Sequence, residues 1–131
     1  MNKEKIKRDW WQKGRAFDLW SIPHFLFGVF MSFVPLLIGI STFTALSFTV
    51  IFAMLWEIYE KFVNIRETTQ NSLLDIILSI VAFTLTSSAL LLYPLSYSEL
   101  LVTAGAVFAV YLFTNISGWF AYRRRNRDFR G

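Results

Sequence analysis

The chain has 131 residues, enough for one domain, and 55% of them are hydrophobic while only 17% are charged. This balance excludes an ordinary soluble domain, because the apolar residues also occur in long runs rather than in stripes along one helix face. The absence of cysteine excludes disulfides, thiolate metal ligands and cysteine nucleophiles. The formal net charge is +4, but the basic residues flank the apolar runs, so membrane topology explains them and no nucleic-acid partner is predicted.

The first segment of the chain, residues 1–19, is basic and aromatic. It places Ile6, Trp10 and Phe17 at roughly helical spacing, with lysine and arginine between them. That pattern is typical of an amphipathic helix in the membrane interface, so the sequence predicts an interfacial N-terminal helix. A cleaved signal peptide also combines a basic and an apolar region, but the apolar run here is too long for one and lacks a small-residue cleavage site.

Four apolar runs follow, each near the ~20 residues that a helix needs to cross the hydrocarbon core of a bilayer. Their predicted bounds are 20–39, 42–60, 73–92 and 100–122. Because lipid offers no hydrogen bonds to the backbone, helices are the expected structure. Short connections follow the first run and, at Tyr93 and Pro94, the third run. The sequence therefore predicts an all-α membrane protein, a single domain over residues 1–131 with four transmembrane helices arranged as two hairpins.

Lysine and arginine predict the orientation of these helices. Of the thirteen, six precede the first run, two lie between the second and third runs, and five follow the fourth. The other two connections contain none. By the positive-inside rule, the N- and C-termini and the middle loop are cytoplasmic, so we expect a multi-pass protein of the cell membrane.

Ionisable residues inside these runs mark a candidate site, because Asp, Lys or Arg at a helix centre costs about 2.5 to 3.5 kcal/mol in a membrane. His24 begins the first run, Glu57 and Glu60 end the second, and Asp75 lies just inside the third. All four fall at one depth near the predicted cytoplasmic surface. One imidazole and three carboxylates are suitable ligands for Mg, Mn or Zn, so the sequence predicts a site for a divalent metal ion.

Most of these residues also have a structural interpretation that the sequence leaves open. Glu57 can pair with Lys61 one turn later, and Glu60 can extend to water. Ser72 to Asp75 match the capping-box pattern at the start of a third helix.

Two amides and a basic cluster are further candidates for a functional role. Asn71 lies at the predicted cytoplasmic boundary of the third run. Asn115, two turns inside the fourth run, is expected to form an interhelical hydrogen bond. Arg123, Arg124 and Arg125 follow the fourth run. They are expected to contact anionic lipid headgroups at about 1 kcal/mol each, unless they serve only as topogenic charges.

The order of the polar residues forms a pattern along the chain. Asp18 and His24 come before or at the first span, Trp56-Glu57-x-x-Glu60 ends the second, and Asn71-Ser72-Leu73-Leu74-Asp75 opens the third. Over about residues 18 to 83 this order resembles the VanZ-like group of small bacterial membrane proteins, in which an Asp-x-x-x-Asn-x-x-Gly helix follows. Here Ser79 and Ala82 stand at the last two positions of that motif. The resemblance implies a polar site in a bacterial inner-membrane protein but no particular reaction, although the group's named member is linked to teicoplanin resistance.

Two functions are compatible with these residues. In the first, a polar, metal-assisted site binds or processes a phosphate-containing lipid headgroup at the cytoplasmic leaflet, with catalytic residues unassigned because the common enzyme motifs are absent. In the second, a non-catalytic interaction protein uses the polar cluster to stabilise helix packing. Transport is disfavoured because the outward halves of the spans are apolar. Lipid is the expected partner, and a homo-oligomer is compatible with the sequence.

Overall fold

A computed structural model of the chain describes residues 21–62 and 69–130. Within those ranges the chain forms four helices and no strand: α1 (Ser21–Ile38), α2 (Thr42–Phe62), α3 (Thr69–Leu92) and α4 (Tyr97–Arg130). Each helix contains a segment long and apolar enough to cross a membrane, which agrees with the predicted all-α membrane class. The predicted interfacial helix lies outside the described residues.

The connection between α1 and α2 is short because its residues cap both helices. Gly39 has φ +76°, and its N–H donates to the carbonyl oxygen of Pro35 at 3.0 Å, a left-handed ending for which glycine is favoured. Ser41 then caps the start of α2, since its Oγ accepts a hydrogen bond from the N–H of Thr44 at 3.0 Å. The tight turn predicted from the sequence is therefore present.

Helix α4 begins at Tyr97, earlier than the predicted residue 100, because Ser96 and Glu99 form a capping box. The N–H of Glu99 donates to Ser96 Oγ at 3.3 Å, and the N–H of Ser96 donates to Glu99 Oε2 at 2.8 Å. These two bonds satisfy backbone and side-chain groups at the helix start. The helix can therefore begin before the apolar run.

Helix α4 also continues to Arg130, well past the end of its apolar segment at Ala121. Its 34 residues are about 51 Å long at ~1.5 Å per residue, whereas a hydrocarbon core is ~30 Å thick. The extension carries Arg123, whose side chain is exposed. The side chains of Arg124 and Arg125 lie outside the described part of the chain.

Helix α1 is the centre of the bundle, since it packs against α2, α3 and α4. Helix α2 also packs against α3, whereas among the described residues the backbone of α4 approaches closely only that of α1. A buried cluster of Phe33 from α1 with Leu100 and Ala104 from α4 forms part of this contact. The predicted second hairpin is therefore connected in sequence but does not pack as a pair, because α4 lies against α1 instead of α3.

Helices α1 and α3 approach each other closely at Gly28. A Cβ atom on Gly28 would overlap the carbonyl oxygen of Ser79 and lie 3.0 Å from the Cβ of Ala82. Ser79 and Ala82 are fully buried at this contact. Small residues thus allow the two backbones to meet, as is common between membrane helices.

Candidate metal centre

Three ionisable side chains from three helices meet at one end of the bundle. His24 lies in the first turn of α1, Glu57 near the end of α2 and Asp75 in the second turn of α3. The Nε2 atom of His24 is 3.3 Å from Asp75 Oδ2 and 3.7 Å from Glu57 Oε1. One ligand atom from each residue lies within 4.8 Å of the other two. We refer to His24, Glu57 and Asp75 as the three-residue centre.

The three-residue centre is buried. The exposed fraction is 7% for His24, 5% for Glu57 and 1% for Asp75. Removing a charged group from water costs several kcal/mol per ion unless an opposite charge, a proton or a metal ion compensates it. A protonated imidazole beside the two carboxylates would compensate one of their charges and lower the cost of this burial.

Helical spacing explains why Glu57 faces inward. Ala45, Thr49, Ala53 and Glu57 are all buried and recur every four positions along α2, so they share one face of the helix. The three earlier residues of this face, Ala45, Thr49 and Ala53, are small and allow it to pack against the rest of the bundle. Glu57 continues the same face towards the end of α2, where it meets His24.

Ser79 links the backbone of His24 to α3. Its Oγ donates a hydrogen bond to the carbonyl oxygen of His24 at 2.8 Å and lies 3.3 Å from the carbonyl oxygen of Asp75. The bond holds the first turn of α1 in register with the turn of α3 that carries Asp75. This role of Ser79 was not predicted from the sequence, although its position four residues after Asp75 indicates the same helix face.

The capping-box interpretation of Ser72 and Asp75 is wrong. Helix α3 already includes Thr69, so both residues lie inside the helix rather than at its start. Ser72 is 7% exposed and Asp75 1% exposed, and Asp75 faces His24 across the helix contact. The polar residues that precede the apolar run continue the helix, which the hydropathy pattern did not indicate.

Glu60 belongs to a different environment from Glu57. It is fully buried, so the expectation that it extends to water is wrong. Its Oε1 accepts a hydrogen bond from the indole Nε1–H of Trp56, one turn earlier, at 2.8 Å. The group of residues with ligand atoms close enough for one ion contains Glu57 but not Glu60. The structure therefore unites three of the four residues that the sequence grouped by depth.

The two predicted supporting amides differ in what the structure describes. The Nδ2–H of Asn115 donates to the carbonyl oxygen of Tyr111 in its own helix at 2.8 Å, so the hydrogen bond seen for this amide among the described residues is intrahelical rather than the predicted interhelical one. A polar side chain inside a helix commonly bonds the preceding turn, which requires no second helix. The side chain of Asn71 lies outside the described residues.

A pocket of about 370 Å³ adjoins the three-residue centre between α1, α2 and α4. His24 belongs to both the centre and the pocket wall. Most of the remaining wall is apolar or aromatic, and Asn115 adds a polar group. The apolar and aromatic part of the wall includes Pro23, Phe27, Phe52, Trp56, Tyr59 and Tyr111. The volume lies within the ~300–1,000 Å³ typical of ligand pockets, and the polar centre lies at one side of it.

Neither family models, nor curated proteins, nor solved structures provide a match to this chain. The resemblance to the VanZ-like group is thus carried by the sequence pattern alone. The geometry of the three-residue centre and the adjoining pocket is therefore the basis on which a function can be proposed.

Proposed function

We propose that this chain is a multi-pass membrane protein that binds a divalent metal ion at His24, Glu57 and Asp75 and uses the ion to bind a phosphate-bearing lipid headgroup. The observation that carries the proposal is the convergence of three buried ligating side chains from separate helices, with ligand atoms within 4.8 Å of one another. Each of these groups is costly to bury as a charge, and one shared cation would compensate both carboxylates at once.

The spacing of the ligand atoms suits a single small cation. Ligands at ~2.1 Å from a tetrahedral ion lie about 3.4 Å apart. The two distances from His24 Nε2 to the carboxylates, 3.3 and 3.7 Å, lie on either side of that value. An imidazole combined with carboxylates favours Mn or Zn over Mg, which prefers oxygen ligands alone. Three protein ligands leave a further coordination position for water or substrate, as in catalytic zinc sites.

The formal charges of the three side chains support a divalent ion. Two carboxylates and a neutral imidazole sum to −2, which one divalent cation neutralises. A protonated imidazole alone leaves the same three side chains with a charge of −1. A neutral cluster is easier to bury in a medium of low dielectric constant.

A bound ion explains how an acidic centre can attract a phosphate. Such an ion would act as a Lewis acid that takes an electron pair from a phosphoryl oxygen, and the adjoining pocket provides apolar surface beside it. In this proposal His24, Glu57 and Asp75 hold the ion, while Glu60 has no ligand role.

The proposed location is the cytoplasmic side of a bacterial inner membrane, in keeping with the VanZ-like resemblance. Six basic residues before α1 and five after Ala121 support cytoplasmic N- and C-termini, and His24 and Asp75 lie in the first two turns of helices that would start on that side. An interfacial helix within residues 1–19 would lie at the same surface. The cluster Arg123, Arg124 and Arg125 would attract anionic headgroups there.

A second function is a non-catalytic one, in which the three-residue centre stabilises the helix contacts. The distance of 3.3 Å between His24 Nε2 and Asp75 Oδ2 favours it, because that separation is short enough for a direct ion pair. Removing one partner of a buried pair costs about 3–5 kcal/mol, so the centre would then be mainly a packing device.

Metal content of the purified, metal-loaded protein tests the choice. Wild type, Glu57→Gln and Asp75→Asn are compared after identical washing, with Glu60→Gln as a matched control that changes a buried carboxylate of the same helix outside the centre. We expect near-stoichiometric metal in wild type and Glu60→Gln, and its loss in the other two. A metal-free wild type, with the variants differing only in heat stability, would instead support the second function.

A further inference from the structure

The pocket between α1, α2 and α4 is only partly enclosed. Helices α2 and α4 both contribute to its wall, yet their backbones make no close contact within the described residues. Phe52 and Trp56 line the pocket and remain 49% and 37% exposed. In a membrane-spanning bundle, a gap between two helices that make no close contact borders hydrocarbon, so lipid is the expected surrounding on the α2–α4 side of the pocket.

The wall of this pocket suits a hydrocarbon chain. Aromatic rings dominate it, and two of them, Phe27 of α1 and Tyr111 of α4, approach each other with centroids 6.1 Å apart. Such rings offer large apolar area at a low cost in side-chain entropy. The volume of about 370 Å³ is near the lower end for ligand pockets, which favours one chain over the two chains of an ordinary phospholipid.

His24 connects the apolar pocket with the three-residue centre, because it is a member of both. An amphiphile that enters from the membrane with its chain between α2 and α4 would bring its headgroup to His24. There the open coordination position of a bound ion would accept a phosphate oxygen.

We propose that the pocket binds a single-chain amphiphile with a phosphate headgroup, whose hydrocarbon chain lies among Phe52, Trp56 and Tyr111 while its phosphate reaches the three-residue centre. This inference rests on the proposed function, which supplies the metal ion. It adds the substrate class, the site of the chain and the direction of entry. Prenyl phosphates and lysophospholipids share this chemistry, and their competition against one probe distinguishes them.

Photolabelling tests the inference on the full-length, metal-loaded protein in lipid nanodiscs. The probe is an alkyl phosphate that carries a diazirine in its chain, and labelled residues are mapped by mass spectrometry. We expect labels to concentrate on Phe52, Trp56 and Tyr111 and to fall several-fold with excess dodecyl phosphate but not with dodecanol. Labels scattered equally over lipid-facing residues such as Leu85, or equal competition by dodecanol, would overturn the proposal.

Two variants link the labelling to the pocket itself. Ala53→Leu adds volume to the pocket wall, whereas Ala109→Leu makes the same change at an exposed position of α4 and serves as its control. We expect several-fold less labelling in the first and unchanged labelling in the second; equal labelling in both would contradict the inference. Should Ala53→Leu not fold, Phe52→Ala, at a half-exposed position, removes part of the wall and is expected to reduce labelling on α2.

Metal analysis of the same samples separates the two proposals. Bound metal with scattered labels would overturn the pocket inference and leave the proposed function intact. A metal-free protein that is still labelled in the pocket, with dodecanol competing as well as dodecyl phosphate, would overturn the proposed function and the phosphate part of the inference together.

Discussion

Gly28 in α1 lies so close to Ser79 in α3 that a Cβ atom on the glycine would overlap the serine carbonyl oxygen. The same two helices carry His24 and Asp75, whose side chains are 3.3 Å apart. The absence of one methyl group therefore determines how near these two members of the centre can approach each other.

We expect Gly28→Ala to destabilise the protein by about 1–3 kcal/mol, the usual cost of overpacking, and to lower its metal content. Gly105→Ala is the matched control, because a Cβ there meets no atom within 4 Å. Alanine also favours a helix over glycine by about 1 kcal/mol, so the control should be neutral or slightly stabilising. Thermal unfolding in detergent measures both effects, and equal melting temperatures for the two variants would contradict the close α1–α3 contact.

Ser79→Ala removes the hydrogen bond to the carbonyl oxygen of His24. We expect a loss of about 0.5–1.5 kcal/mol of stability, together with weaker metal binding, because the first turn of α1 loses its link to α3. Ser88→Ala is the control, since the Oγ of Ser88 bonds only the preceding turn of its own helix at an exposed position. A titration with Mn²⁺ or Zn²⁺ that gives the same affinity for both variants would show that Ser79 does not position the centre.

The capping box at the start of α4 offers a test of the fold away from the centre. Glu99→Ala removes the acceptor for the N–H of Ser96, and we expect a cost of about 0.5–2 kcal/mol, as for other helix caps. Glu99→Gln should retain most of the stability, because glutamine serves the same position in a capping box. Metal content is expected to stay unchanged in both. If glutamine and alanine proved equally destabilising, the charge rather than the hydrogen bond would be responsible.

The proposed topology can be tested directly, because the chain contains no cysteine and needs no background mutations. Tyr93→Cys, at a residue 76% exposed between α3 and α4, is expected to react with a membrane-impermeant maleimide added outside intact cells. Arg123→Cys, past the apolar segment of α4, is expected to react only after the cells are opened. The unmodified chain is the control for background labelling. The reverse pattern would invert the orientation and move the centre to the opposite membrane surface.

The helices were largely predictable because a membrane-spanning helix needs a continuous run of apolar residues, which can be read directly from the local composition. Helices α1 and α2 span Ser21–Ile38 and Thr42–Phe62, close to the predicted 20–39 and 42–60. The predictions were poorer for α3 and α4, which begin at Thr69 and Tyr97. There, polar residues extend the helices beyond the apolar runs, and hydropathy does not register backbone hydrogen bonds such as those of the Ser96–Glu99 box.

The candidate site was predictable only in part. Membrane depth grouped His24, Glu57, Glu60 and Asp75, since ionisable residues in a span are costly and stand out. Depth does not specify the direction of a side chain around its helix, however. Glu57 and Glu60 are three positions apart, but Glu57 lies beside His24, whereas Glu60 accepts a hydrogen bond from Trp56.

By itself the sequence determined an all-α chain with four helices able to cross a membrane, because length, apolar runs and helix-ending residues act locally. Only the tertiary structure decided that α1 is the centre of the bundle, that α4 packs on α1 rather than α3, and which carboxylates face the imidazole. These features depend on contacts between residues distant in sequence, such as Gly28 with Ser79, where steric fit and not composition selects the partner.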